Sequence, residues 1–243
     1  MHESNPNLDQ HFLVDRDVAV QMTSLLDVQK NDVVLEIGPG KGALTKEIPK
    51  CKEIIVIEKD ENLIPELKMI DGIQIIHGNA LQKISRIKFT KLLSNTPYAI
   101  VEPLLRKMIF CDFEIAIISV GGGFAKHLKE ENILSFLANS FFEIKEVGII
   151  HKNSFFPKPR INSVILKIEK KVKLSKEDEL VQNLYKQRDK ILKNALREFF
   201  VGNHKITKNE AREKIKGMNL EENLLGKSVE QLTLEDLKKI TKN

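Results

Sequence analysis

The stretch from Val33 to Leu44, VVLEIGPGKGAL, constrains this chain more than any other. Val33–Ile37 is a short apolar run interrupted only by Glu36. It passes directly into Gly38-Pro39-Gly40-Lys41-Gly42 and then into a helix start at Ala43-Leu44-Thr45. A buried strand, a glycine turn and a helix N-terminus, in that order, make a nucleotide-type binding corner. Glycine admits positive φ and lets backbone approach a ligand where a Cβ would collide. The unpaired N–H groups of a helix start favour electronegative ligand atoms. Taken alone, such a corner also occurs as an ordinary turn.

A second run, residues 54–57, is β-branched and ends in Glu58. An acidic residue about 20 positions past a glycine turn, at the end of the next strand, is placed to hold ribose hydroxyls. The same residue in an ordinary fold is a solvated strand end. Further strand-like runs follow at 73–77, 92–94 and 115–120, with helical patterns at 44–49, 62–70 and 103–110 between them; an earlier helix spans 18–26. Strands alternating with helices predict an α/β fold with a parallel sheet covered on both faces. Ligands then bind outside the carboxyl ends of the strands, near Gly38, Glu58, Gly78-Asn79 and Asn95. After a helical pattern at 133–141, two late strands, 147–151 and 163–168, predict an antiparallel hairpin at the sheet edge.

Residues 170–243 change character. Their net charge is +6, against −1 for residues 1–169. Capping-box patterns at Ser175/Asp178, Thr207/Glu210 and Thr233/Asp236 mark helix starts. Leu180, Leu184, Ile191, Ala195 and Phe199 fall near one helical face, leaving Lys186, Arg188, Lys193 and Arg197 for water or phosphate. The expected organisation is a larger domain over 1–170 and a small all-helical domain over 171–243. A neutral body with a basic end suits a polyanionic partner, and equally a lysine-rich solvated surface. No apolar run approaches the roughly 20 residues of a membrane span. The N-terminal residues lack a secretory pattern, and Cys51 and Cys111 form no CxxC pair, so a reducing, cytoplasmic setting is expected. His77 and His151 lack metal-ligand spacing, so no metal is expected.

The sharpest chemical signal is Asn95-Thr96-Pro97-Tyr98, at the end of the fourth strand. Methylating an exocyclic base amine requires freeing a lone pair delocalised into the ring. An asparagine carbonyl and a backbone carbonyl beside the proline can accept the two amine hydrogens and draw the nitrogen toward tetrahedral geometry. The aromatic ring holds the base in line with a methyl donor. Such a site works through orientation and oriented dipoles rather than a side-chain nucleophile. The structural alternative is an Asx-Pro turn with a packed tyrosine.

With these motifs in hand, the chain resembles the KsgA-type rRNA adenine dimethyltransferases and, more distantly, the resistance rRNA methyltransferases. The resemblance runs through Asp9-Gln10-His11-Phe12-Leu13, Leu35 to Thr45, Ile57-Glu58, His77 to Leu81 and Asn95 to Tyr98. It continues through Phe155 to Ser163 and the basic helix at Arg188 to Asn194. It implies a Rossmann-like methyltransferase sheet with a helical C-terminal domain that contacts RNA. It implies S-adenosylmethionine as cofactor and two adjacent adenines near the 3′ end of small-subunit rRNA as substrate, methylated at N6, twice on each base, in an immature subunit during late assembly; a monomer is expected. On matching positions, His11 and Leu13 would close over the cofactor and Gly38 would meet its methionine part. Glu58 would hold the ribose, and Asn79 would meet the adenine amine. Asn95 would contact cofactor and target; Tyr98, with Phe155 or Phe156, would stack on the target base.

Four positions depart from the family pattern: Asp9 for glycine, Asn79 for aspartate, Thr96 for leucine, and Gly121-Gly122-Gly123 for a Gln-Lys-Glu-type segment. Asn79 and the three glycines motivate an alternative, a weakly active or non-catalytic small-subunit assembly factor that binds pre-rRNA; the intact Asn95-Thr96-Pro97-Tyr98 argues against it. A third reading, a small-molecule or DNA amine methyltransferase, is disfavoured for small substrates by the basic tail.

Overall fold

The computed structural model describes residues 11–242; Asp9 and Gln10 of the N-terminal motif lie outside them. Contacts divide the chain into two units. One runs to Glu130 and resumes over Phe142–Lys170; the other takes Glu131–Phe141 and continues from Lys171.

The first unit contains β1 (Phe12–Leu13), α1 (Arg16–Ser24), β2 (Val33–Ile37), β3 (Glu53–Glu58), α2 (Ile64–Leu67) and β4 (Ile73–His77). These are followed by α3 (Ala80–Lys83), β5 (Lys91–Asn95), α4 (Val101–Met108), β6 (Ile115–Gly121) and α5 (Gly122–His127). After α6 (Ile133–Phe141), which belongs to the second unit, come β7 (Phe142–Ile150), β8 (Phe155–Phe156) and β9 (Ser163–Lys170). Seven strands form one sheet in the order β4-β3-β2-β5-β6-β9-β7. The first five in that order are parallel, and β9 is antiparallel to both β6 and β7. This is the expected parallel sheet with an antiparallel hairpin at its edge. Chain order reverses between β2 and β5, the switch point that opens a crevice outside the strand ends.

Burial explains why the parallel strands read as continuous apolar runs. Val34, Leu35, Leu92 and Leu93 have no exposed surface, because the sheet is covered on both faces. Val34, Leu93, Ile117 and Ile165 share one cluster with Met22 and Leu26 and with Leu13 and Phe155. Each such side chain contributes about 1.5–3 kcal/mol.

Several elements differ from expectation. The helix at 44–49 is a single 3-10 turn, Thr45–Glu47, and Ile48 is extended with ψ 124°. The clash between a proline ring and the preceding residue removes the helical option at Ile48. The pattern at 62–70 splits into a 3-10 turn at Glu61–Leu63, capped by Asp60, and the four-residue α2. β7 begins five residues earlier than its apolar signal, because Glu143, Lys145 and Glu146 are exposed on an edge strand. β1 and β8 form a separate two-stranded sheet, Phe12 opposite Phe156 and Leu13 opposite Phe155.

The second unit contains α6, α7 (Lys176–Tyr185), α8 (Leu192–His204), α9 (Lys208–Gly217), α10 (Glu222–Gly226) and α11 (Leu234–Thr241). The three capping boxes are formed as expected, at Ser175, Thr207 and Thr233. The single helical face expected over 180–199 is broken. Leu192 N donates to Lys227 O (2.8 Å), and Ile191 pairs with Ser228. These bonds across the chain replace the helical bonds that would have joined α7 to α8. Leu180, Val181 and Leu184 are buried on α7, and Leu192, Ala195, Leu196, Phe199 and Phe200 on α8.

Candidate active site

A cavity of about 220 Å³ lies in the first unit at the carboxyl ends of β2, β3, β4 and β5. It brings together His11, Leu13, Gly38, Glu58, Asn79, Asn95, Pro97, Tyr98 and Phe155. Phe156 is not among its lining residues; it is 70% exposed, whereas Phe155 is 4% exposed. Neighbouring residues of a strand project to opposite faces, so the two phenylalanines cannot share the role.

The corner is built from backbone outward. Gly40 has φ +58°, and a Cβ there would lie 3.0 Å from Phe12 Cδ1. Its N–H donates to Glu58 Oε2 (3.0 Å), while Lys59 and Asp60 donate their N–H groups to Oε1 (2.8 Å each). Three backbone donors from two strand ends thus fix one carboxylate. Burial pushes the Glu58 carboxyl above its ordinary value, and these N–H groups oppose the rise by favouring the charged form.

Glu36 lies beneath the corner. Thr45 Oγ1 donates to its Oε2 (2.7 Å), and Oε1 is buried with no hydrogen-bond partner. Burial pushes this carboxyl up to about 8; the Thr45 bond pulls it down, and repulsion from Glu58 adds to the rise. The sequence shows Glu36 only as a lone carboxylate in an apolar run.

Asn95 is held at both ends of its amide. Nδ2 donates to the His11 carbonyl (2.9 Å), and Ser119 Oγ donates to Oδ1 (2.6 Å). His11 is anchored in turn, its Nδ1–H donating to Pro157 O (2.7 Å). Pro97 O accepts from Ile100 N (3.1 Å) at the turn that leads into α4. Tyr98 is 36% exposed; its ring centroid lies 6.0 Å from that of His11, and its hydroxyl 3.5 Å from Ser163 Oγ. Thr96 Oγ1 is buried without a partner beside this motif. Asn79 caps α3, its Oδ1 accepting from Leu81 N (2.9 Å). Ser119 carries no local motif; only the parallel register, which sets it opposite Asn95, reveals it.

The residues present fit a cationic, hydroxyl-bearing ligand without phosphate. The Glu58 carboxylate lines the cavity, and so does Glu36, a protonated carboxyl near neutral pH with one orphaned oxygen. The corner leads into one 3-10 turn, so no long helix N-terminus is offered to a diphosphate. Among the described residues, no group of three His, Cys, Asp or Glu could hold a metal ion, and no helix is long and apolar enough to cross a membrane.

Comparison with known proteins gives a consistent picture. A family model described as "Ribosomal RNA adenine dimethylase" matches residues 1–238. A protein of Methanococcus aeolicus named "Probable ribosomal RNA small subunit methyltransferase A" is 34% identical, covering 97% of this chain and 94% of that one. A Clostridium botulinum "Ribosomal RNA small subunit methyltransferase A" is 31% identical over 79% of each chain. Among solved structures, a dimethyladenosine transferase from Plasmodium falciparum superposes with a TM-score of 0.65 at 22% identity, covering 95% of this chain and 96% of that one. The 23S rRNA methyltransferase ErmE superposes with 0.60 at 17% identity, covering 95% and 98%. The two structures establish likeness of fold.

Proposed function

This chain belongs to the ribosomal RNA adenine dimethylase family, and from that premise we propose that it dimethylates N6 of two adjacent adenines near the 3′ end of small-subunit rRNA, using S-adenosylmethionine. The observation that carries the reading is the gathering of Asn95, Pro97 and Tyr98 on one cavity with Glu58 and the glycine corner. The setting is the immature small subunit in the cytoplasm, and the protein acts as a monomer.

When bound, S-adenosylmethionine supplies an electrophilic methyl group carried on a sulfonium. Gly38 would lie against its methionine part, Glu58 would accept hydrogen bonds from the ribose hydroxyls, Asn79 would meet its adenine, and His11 and Leu13 would close the site from the N-terminal side. Asn95 Oδ1 keeps a lone pair beyond the one Ser119 occupies, and that lone pair accepts one hydrogen of the target amine. A backbone carbonyl beside Pro97 accepts the other. Both bonds favour a tetrahedral nitrogen and release its lone pair. Tyr98 and Phe155 hold the flipped base, each stacking contact being worth about 1–3 kcal/mol.

Asn95→Ala tests the assignment through labelled methyl transfer to immature small subunits. The expected loss is about 10²–10³-fold, the usual cost of removing one oriented group. Unchanged incorporation would falsify the role of Asn95.

One observation favours the non-catalytic assembly factor as second reading. Asn79 Oδ1 is engaged by Leu81 N, and the other end of its amide is a donor where the family's aspartate offers a further acceptor. That weakens the match to an adenine amine. Wild-type protein that binds the precursor particles yet transfers no methyl group establishes this reading instead.

A further inference from the structure

We propose that the carboxyl end of β6 is the platform that sets the methyl-transfer motif: Ser119 positions the Asn95 amide, and Gly121 receives the Tyr98 ring. The inference rests on the roles of Asn95 and Tyr98 given above and extends them to residues in neither motif.

Ser119 lies opposite Asn95 in the parallel β5–β6 register, and Gly121, two residues on, projects to the same face of the strand. Ser119 is buried, and its single hydroxyl proton goes to Asn95 Oδ1 at 2.6 Å, a short bond. The His11 carbonyl at the other end can only accept, so it decides which way round the amide sits. Ser119 then pins the oxygen itself. One lone pair is committed, and the direction of the other is fixed. Without that hydroxyl the reacting oxygen is held only through the far end of its amide, and its alignment on the target nitrogen loosens.

Gly121 acts by what it lacks. A Cβ there would lie 3.0, 3.2 and 3.3 Å from Cε1, Cζ and Cδ1 of Tyr98, so the ring occupies the space a side chain would fill. The antiparallel partner of Gly121 is Ser163, whose hydroxyl lies 3.5 Å from that of Tyr98. The ring is therefore seated on two neighbouring strand ends. Any side chain at 121 lifts it, and with it the surface on which the base rests. The first of the three consecutive glycines is thus a positional requirement of this chain's tyrosine.

Two arms test the platform. In the first, kcat and KM are measured separately for methyl transfer by the full chain. Ser119→Ala, and the isosteric weak donor in Ser119→Cys, are expected to lower kcat by about tenfold. KM for cofactor and RNA should stay within about twofold, and Tm should fall by no more than a few degrees. Wild-type kcat in both variants, or a loss carried by KM, overturns the role of Ser119. The second arm needs no activity. The chain has two tyrosines and no tryptophan, so Tyr185→Phe leaves Tyr98 as the sole emitter. Adding Gly121→Ala is expected to change Tyr98 emission and its quenching by acrylamide by at least about twofold, because a contact tighter than van der Waals distance must be relieved. Identical emission and quenching overturn the role of Gly121. If unsubstituted protein transfers no methyl group, the proposed function fails in the first arm while the second still decides where the ring sits.

Discussion

Glu36 stores a proton that an unfolded chain would have released. Its folded carboxyl titrates at about 8, against 4.5 for the unperturbed group, because burial denies the charged form its water. Between those values the folded state binds more protons than the unfolded one, so stability falls as pH rises. It is fully present below about 4.5, declines on the order of 1 kcal/mol per pH unit, and levels off above about 8. Glu36→Gln keeps an acceptor for Thr45 and removes the titration. Urea unfolding without added cofactor, at about pH 6 and about pH 8, should show a steep decline for the native chain and a flatter one for the variant. Equal slopes would mean that Glu36 is not the titrating group. Residues differ in how far the chain alone reveals them. Glu58 and Asn95 to Tyr98 carry spacing and chemistry visible in the chain itself. Ser119 does not, because its only distinction is the asparagine 24 positions away across a strand pair. Phe155 and Phe156 are indistinguishable as neighbours in sequence; the pairing of β8 with β1 decides which of them faces inward.

Elements show the same division between local and distant causes. β2 and β4 match their apolar runs at both ends, since a strand buried among neighbours announces itself. α6 likewise matches its pattern. The fragments at 44–49 and 62–70 are shorter than their apolar spacing suggests; in the first, Pro49 takes the helical option from Ile48. The gap between α7 and α8 comes from hydrogen bonds that Leu192 and Arg188 make with Lys227 and Glu230, far along the chain, which no window of a dozen residues contains. The glycine corner is the element on which most else depends. Gly40→Ala must hold an alanine at φ +58° and displace the Phe12 ring. We expect a cost of about 1–2 kcal/mol, read in urea unfolding. Because the Gly40 N–H is one of three that hold Glu58, S-adenosylhomocysteine should also bind more weakly, read by calorimetry. Unaltered stability would show that the turn relaxes freely.

Charge is the property of the whole molecule that composition already shows, with +6 falling in residues 170–243. The shift near Lys170 coincides with the point where the chain divides into its two units, yet α6 joins the second unit from within the first. Its nine residues carry no charge, so composition has no means of assigning it. If the helical unit binds rRNA, affinity falls with salt. Lys186→Ala and Lys193→Ala, both at exposed positions, should each reduce the log–log slope by about 0.7–0.9 for every phosphate left without its lysine. A slope unmoved by both would assign the RNA surface elsewhere. The reversal of strand order between β2 and β5 has a consequence for the site as well. Gly38 and Asn79 follow β2 and β4 and Glu58 ends β3, whereas Asn95, Tyr98, Ser119 and Gly121 belong to the β5 and β6 side. The two sets come from separate stretches of the chain, joined through the pairing of β2 with β5. Substitutions that reshape the seat of the Tyr98 ring therefore fall in a different stretch of chain from Gly38, Glu58 and Asn79.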